Sequence, residues 1–252
     1  MPVRSVTSNQ EDVYRNLEAV VRKYASTTFL RPVADHTRTA FERACEFVRN
    51  FANDSAPFSL VLDSGCGTGE STLHLAKKFP NVPVIGIDKS AVRLTKAGNG
   101  RQLECAAEGE LCDEPAGAST GMAVPLNAFW VRAELLDFWR LALEKVLAGE
   151  WKILHHALYY PNPWPKESEA TRRFHLHPIF PTLLRLSPVT ELRTNWEIYA
   201  REFAEAAHVL GDALSLKFNV ELGAFDPENP ETAFERKYKE ARQQLWRTLV
   251  KT

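Results

Sequence analysis

Two short segments carry residue types suited to an adenosine-bearing ligand. The first is Asp63-Ser-Gly65-Cys-Gly67-Thr-Gly69-Glu. It follows a short β-prone run at 58–62 and opens a helical pattern at 71–78. Glycines there let the chain turn tightly and bring its backbone close to a ligand, with no Cβ in the way. The second segment is Gly86-Ile-Asp88, which closes the next apolar run at 82–87. A carboxylate at that point can accept from both hydroxyls of a ribose. Two cofactors suit such a pair, a nicotinamide dinucleotide and S-adenosylmethionine (SAM). The dinucleotide fingerprint is GxGxxG, whereas Gly65-Cys-Gly67-Thr-Gly69 reads GxGxG. Asp63 also stands two residues before the first glycine. An acid there suits the cationic methionine end of SAM and would repel a pyrophosphate. The residues therefore point to SAM.

The elements that must hold these segments follow from periodicity. Helical spacing runs over 12–23 and 37–53. Ser90 is placed to cap a helix at 90–96. After that come a strand at 128–131, a helix at 134–147 and a strand at 151–160. Beyond a proline-rich loop the pattern predicts a helix at 178–186, a strand at 189–193 and a helix at 195–210. A strand at 214–222 and a final helix at 231–249 complete it. Residues 98–125 break the rhythm with five glycines and two prolines, and read as a long loop or small insertion. Strand–helix alternation predicts an α/β fold, a doubly wound, mostly parallel sheet with helices on both faces. The division expected is a helical N-terminal extension over 1–57 and one domain over 58–252.

Lys and Arg number 31 and Asp and Glu 32, a net charge of −1. That excludes a generally polybasic coat or an acidic tail. It leaves room for a local patch, and 231–252 carries six basic and three acidic residues, with Arg172 and Arg173 expected to add to it. The four cysteines, at 45, 66, 105 and 112, have no zinc-ligand spacing and are expected as free thiols. His155 and His156 are adjacent in a strand, so they face opposite sides and are expected to be packed rather than metal-binding. No metal is expected. No run approaches the roughly 18 apolar residues of a membrane span, and the N-terminus lacks the apolar stretch of a secretory signal. A cytoplasmic location is expected.

After the strand at 151–160 comes Pro161-Asn162-Pro163-Trp164-Pro165-Lys166. Arg172-Arg173, Thr194-Asn195-Trp196 and Thr232-Ala-Phe234-Glu235 follow in order. With the glycine loop and Gly86-Ile-Asp88, this series resembles the tRNA (guanine-N7)-methyltransferase family over about residues 58–240. The family's motifs are PDPWPK, a basic stretch ending in RR, TDW and TxFE. The resemblance implies a seven-strand SAM-dependent methyltransferase domain. It implies that Asp63, Gly65, Gly67, Asp88, Glu134 and Asn162 line the cofactor, and that Lys166, Asn195, Thr232 and Glu235 face the acceptor. Asn162, Asn195 and Glu235 are the residues it sets nearest the reaction.

Two departures stand out. Both family aspartates nearest the reaction are asparagines here, at 162 and 195, and Glu167 and Glu169 acidify a segment that is basic in the family. Methyl transfer to guanine N7 needs no general base, because that lone pair is free. The product ring is cationic, however, and nearby carboxylates stabilise it. One such charge pair at ~4 Å and an effective dielectric of ~20 is worth about 4 kcal/mol before screening. The leading expectation is therefore SAM-dependent N-methylation of a small purine-like N-heterocycle. The second is the orthodox tRNA reaction, with tRNA as partner. The third is a SAM-binding scaffold without transfer activity. A Glu can accept from the paired N–H groups of a purine edge, although Glu235 also has Lys239 at i+4 for a surface ion pair. Trp164 and Trp196 suit either base stacking or the core.

Overall fold

An apolar run sets the centre of the sheet. In β1 (Phe58–Ser64) every residue from Leu60 onward is buried, as in β2 (Val84–Asp88), which is buried throughout. Continuous rather than alternating burial is the mark of a parallel strand covered on both faces. The structure is a computed structural model that describes residues 6–51, 55–96 and 125–252; the expected insertion at 98–125 lies almost wholly outside them. The other strands are β3 (Ala128–Arg132), β4 (Trp151–Tyr159), β5 (Val189–Thr194), β6 (Asn219–Phe225) and β7 (Leu245–Lys251). The helices are α1 (Leu17–Ala25), α2 (Asp35–Phe51), α3 (Glu70–Lys78), α4 (Ala91–Leu94), α5 (Leu135–Leu147), α6 (Phe180–Arg185), α7 (Glu197–Leu214) and α8 (Ala233–Glu240). Two short 3-10 turns, Glu167–Arg172 and Phe174–Leu176, precede α6. The strand order is β3-β2-β1-β4-β5-β7-β6. Strand β7 runs antiparallel to both β5 and β6, so the sheet is α/β and mixed, with one reversed strand.

The chain divides into two compact units, Pro32–Leu154, and His155–Thr252 with the residues up to Arg31. In the first, β1 and β3 pair in parallel with β2. Its core is built from Leu60, Leu62, Ile85 and Ile87 with Phe138 and Trp139 of α5. Trp139 Nε1 donates to Ser64 Oγ at 2.8 Å, so the end of β1 is fixed from the helix side. In the second unit α1 packs on α7. Leu17, Val21, Phe180, Tyr199 and Phe203 are among its buried apolar residues.

Two expectations are corrected here. The final helix predicted over 231–249 ends at Glu240, where the chain turns through Arg242 at φ 53°. Residues Leu245–Lys251 are a strand, because two partners, β5 and β6, offer hydrogen bonds on both sides. Trp246, Thr248 and Val250 suit that setting, and tertiary pairing outweighs the helical spacing of Leu245 and Leu249. The strand predicted over 214–222 starts only at Asn219. Leu214 is the last residue of α7, and Ser215 caps it in the left-handed conformation at φ 55°.

Gly86 marks the tightest approach in the first unit. A Cβ there would stand 2.4 Å from Thr72 Oγ1 and 2.8 Å from Trp130 Cδ1. Gly86→Ala is expected to force α3 away from β2 and destabilise the protein by about 1–3 kcal/mol, read as a lower urea midpoint.

Candidate functional site

Five of the six predicted cofactor residues, Asp63, Gly65, Gly67, Asp88 and Glu134, lie in the unit Pro32–Leu154, on or near the loop between β1 and α3, whereas the sixth, Asn162, belongs to the other unit. Gly65 and Gly67 take left-handed φ values of 78° and 59°. A Cβ on either would meet nothing nearer than 4.0 Å. The loop thus presents open space rather than packed protein, a cradle that a side chain would fill. The N–H groups of Gly65 and Cys66 both donate to the carbonyl of Ile87, at 2.7 and 3.1 Å, which seats the loop on β2. Asp63 is buried, and one of its oxygens accepts from Ser71 Oγ and Thr72 Oγ1, each at 2.6 Å. Those hydroxyls begin α3, so the acid and the helix start fix one another.

Asp88 closes the same loop. Its Oδ2 accepts from the Gly67 N–H at 3.0 Å, and its Oδ1 from the Ser90 N–H at 2.8 Å and Arg93 at 3.1 Å. Ser90 caps α4 as predicted, accepting from the Arg93 N–H. Glu134 stands half-buried before α5, its N–H donating to Thr37 Oγ1 at 3.1 Å. The preceding residue, Ala133, donates to the Asp88 carbonyl at 3.1 Å. Cys66 lies inside the loop. Burial, with Asp63 and Asp88 adding, pushes its thiol well up, so it stays protonated and is no nucleophile.

The predicted acceptor residues lie in the other unit. Asn162 is exposed, and its Oδ1 accepts from the Trp164 N–H at 3.3 Å. Tyr160 and Trp164 flank it at φ 52° and 45°, an uncommon conformation for bulky residues. Lys166 is exposed. Asn195 is half-buried and donates from Nδ2 to Gln243 Oε1 at 3.3 Å. The loops that carry the two asparagines are tied at their base, where the Tyr160 N–H donates to the Arg193 carbonyl at 2.8 Å.

Arg173 holds the Asn162 loop in shape. This residue, expected on a basic surface, is fully buried. It donates to the Trp164 carbonyl at 2.9 Å, the Pro163 carbonyl at 3.2 Å, Gln10 Oε1 at 2.9 Å and Glu202 Oε2 at 2.6 Å. Glu202 also takes the Gln10 amide, the Tyr14 N–H and the His175 ring. Burial alone would raise the Glu202 carboxyl, but His175 and Arg173 outweigh it and hold it at about 2. Arg173 also lies 4.8 Å over the buried Trp196 ring, and Arg172 4.6 Å over Trp164.

Thr232 and Glu235 form a cap. The Glu235 N–H donates to Thr232 Oγ1 at 3.0 Å, and Glu235 Oε2 accepts from the Glu231 N–H at 2.7 Å. Glu235 is fully buried and pairs with Arg193 at 3.0 Å. The surface pair with Lys239 does not form, since Lys239 reaches Asp226 at 3.3 Å. Arg193 was missed by sequence reasoning. It pairs with Glu191 at 2.8 Å and lies 4.3 Å over Tyr159, while His155 meets Glu191 at 3.3 Å. Burial would raise Glu191, but His155 and Arg193 bring it to about 2. The signal available was the alternation of charge in Glu191-Leu-Arg193, which puts both on one face of a strand. His156 is buried, and burial, with His155 adding, lowers it to about 3, which keeps it neutral.

The chain is similar to several known methyltransferases. A model described as a methyltransferase domain matches residues 61–113. A trans-aconitate 2-methyltransferase of Deinococcus radiodurans is 55% identical over 42 residues, 17% of this chain and 16% of that protein. A tRNA (guanine-N(7)-)-methyltransferase of Treponema pallidum is 32% identical over 186 residues, 72% of this chain and 62% of that protein. The corresponding enzyme of Mycolicibacterium gilvum is 28% identical over 186 residues, 71% and 62%. The chain thus spans at most 62% of the length of these relatives. A solved structure of an antibiotic-related methyltransferase superposes with a TM-score of 0.50 at 14% identity, covering 91% of this chain and 98% of that one. The fold is that of the SAM-dependent methyltransferases. Among the described residues no helix is long and apolar enough to cross a membrane, and no group of three or more His, Cys, Asp and Glu could hold a metal ion.

The Arg173–Glu202 pair generates a pH prediction. The folded Glu202 carboxyl, at about 2, lies below its ordinary 4.5. Its stabilisation is full above 4.5 and is lost as pH falls towards 2. Glu202→Gln is expected to cost about 3 kcal/mol at neutral pH and to flatten the acid limb of a urea-midpoint series. An acid limb as steep as that of the unsubstituted protein would contradict the assignment.

Proposed function

We propose that the protein is a SAM-dependent methyltransferase and that its acceptor is a ring nitrogen of a small purine-like N-heterocycle. The observation that carries the acceptor reading is the absence of an available carboxylate among the motif residues of the second unit. Positions 162 and 195 are amides, and both oxygens of Glu235 are engaged, by Arg193 and by the Glu231 N–H. Bound SAM supplies a methyl group carried on a positively charged sulfur.

The residues of the first unit suit that donor. Asp63 sets a negative charge behind the glycine loop, matched to a cation. Gly65 and Gly67 leave their backbone open to it. A carboxylate has about four lone-pair positions, and Asp88 uses three, on Gly67, Ser90 and Arg93. The remainder, with displacement of the half-exposed Arg93, accommodates ribose hydroxyls. Glu134, half-buried before α5, completes the cofactor set of this unit.

On the acceptor side a ring nitrogen offers its lone pair directly, so no residue has to remove a proton. Asn162 and Asn195 can donate as well as accept, which suits a heterocycle rich in acceptor atoms. Thr232 accepts from Glu235 but keeps its own hydroxyl proton to donate, and the exposed Lys166 offers a cation. Glu235, buried and held by Arg193 and the Glu231 N–H, anchors the start of α8. The setting in which these steps take place is the cytoplasm.

A second reading, methylation of guanine N7 in tRNA, is favoured by the two relatives matched over 186 residues. The exposed Arg236, Lys237, Arg242 and Arg247 also favour it.

The test is to incubate the protein with SAM and either a panel of purine bases and nucleosides or a tRNA transcript, and to locate the methyl group by mass spectrometry. Product on a small heterocycle, with none on tRNA at low salt, is expected. 7-Methylguanosine formed in tRNA at enzyme-like rates replaces this reading with the second. No turnover, and no calorimetric heat with S-adenosylhomocysteine, overturns both. Asp88→Ala is expected to weaken S-adenosylhomocysteine binding about tenfold or more. Asn162→Asp is expected to raise guanine N7 methylation about tenfold or more, by restoring a carboxylate beside the developing cation.

A further inference from the structure

We infer that Tyr160, Phe234 and Tyr238 form a stacking platform on which the flat ring of the acceptor lies. This inference rests on the acceptor reading above and names the surface that recognises the ring. Phe234 and Tyr238 are four residues apart on α8, so they share one face. Their ring centroids lie 6.2 Å apart at an interplanar angle of 25°. Tyr160 stands against both, at 6.4 Å and 30° from Phe234 and at 5.7 Å and 44° from Tyr238.

Three features separate this cluster from ordinary core packing. Phe234 is 54% exposed on a helix whose other exposed residues include Arg236 and Lys237. A large ring left open to solvent on a helix rich in cations suits a flat heterocycle better than an apolar protein face. The platform is also held rigid from beneath. Glu235, the neighbour of Phe234 in the chain, is buried on Arg193, and Thr232 caps the same turn. Tyr160 is fixed in its left-handed conformation by its bond to the Arg193 carbonyl. Rings held this way lose little freedom when a ligand stacks on them. Finally, the platform adjoins the predicted acceptor residues in the chain, with Asn162 two residues beyond Tyr160 and Glu235 within α8.

The test uses 2-aminopurine riboside, a purine nucleoside whose emission falls on stacking, titrated into the full chain. Quenching is expected with the unsubstituted protein. Phe234→Ala is expected to weaken binding about tenfold or more, Phe234→Trp to restore it and Phe234→Leu not to. Phe234 is more than half exposed, so these variants should melt within about a few degrees of the unsubstituted protein. S-adenosylhomocysteine heats should match across the series. Unchanged binding in Phe234→Ala, or a Leu variant as good as Trp, overturns the platform. So does a lack of quenching in a protein that binds S-adenosylhomocysteine. If that product gives no heat while the probe series behaves as expected, the platform stands and the methyltransferase reading fails.

Discussion

A guanidinium removed from water must find a partner for every donor, and in this protein that requirement shapes the acceptor unit. Arg173 is fully buried and meets a carboxylate, a side-chain amide and two loop carbonyls. Glu202, the carboxylate, is itself filled from three other directions. Each group therefore lies where the others need it. The Pro163 and Trp164 carbonyls turn inward to Arg173, and Asn162 is left on the outside of the same bend. The segment around Gln10 and Tyr14 is drawn into the same network. Breaking such a pair from one side costs more than the pair contributes, because a charge is stranded. The consequence is a loop with one shape rather than several.

A second buried cation does the same for α8. Arg193 joins Glu191 on its own strand to Glu235 at the start of the helix, and its face is covered by Tyr159 and Phe225. In the Pro32–Leu154 unit the organising group is an acid. Asp88 gathers the Gly67 and Ser90 N–H groups and Arg93, so the glycine loop and the start of α4 meet at one carboxylate. Conformation is thus set by a few buried charges, each more than singly satisfied, and apolar packing supplies the frame around them.

Much of this was legible in the sequence. The glycine loop, its acid and the helix after it were found where the residues placed them, because glycine spacing and a terminal carboxylate are local signals. Six of the seven strands, with their intervening helices, were also foreseen, and most of their boundaries fell within a few residues. What was not legible depended on distant partners. Leu245–Lys251 carries spacing that suits a helix, and only the two strands beside it make it a strand. Arg173 read as a surface cation because nothing local says that Glu202, 29 residues on, waits for it. The resemblance implied that Thr232 and Glu235 face the acceptor, and nothing local in the sequence said that Glu235 would be buried on Arg193. Local chemistry can be read from neighbours in the chain, and long-range charge pairing cannot.

The reversed strand has a consequence for synthesis. Strand β7 lies between β5 and β6, so β6 leaves the ribosome before the strand it must pair with has been made. Until then β5 and β6 each present an open row of amide and carbonyl groups. A nascent chain at that stage carries two sticky margins, and α8 forms in the interval between them. Closure of this half of the sheet therefore waits until β7 has been made.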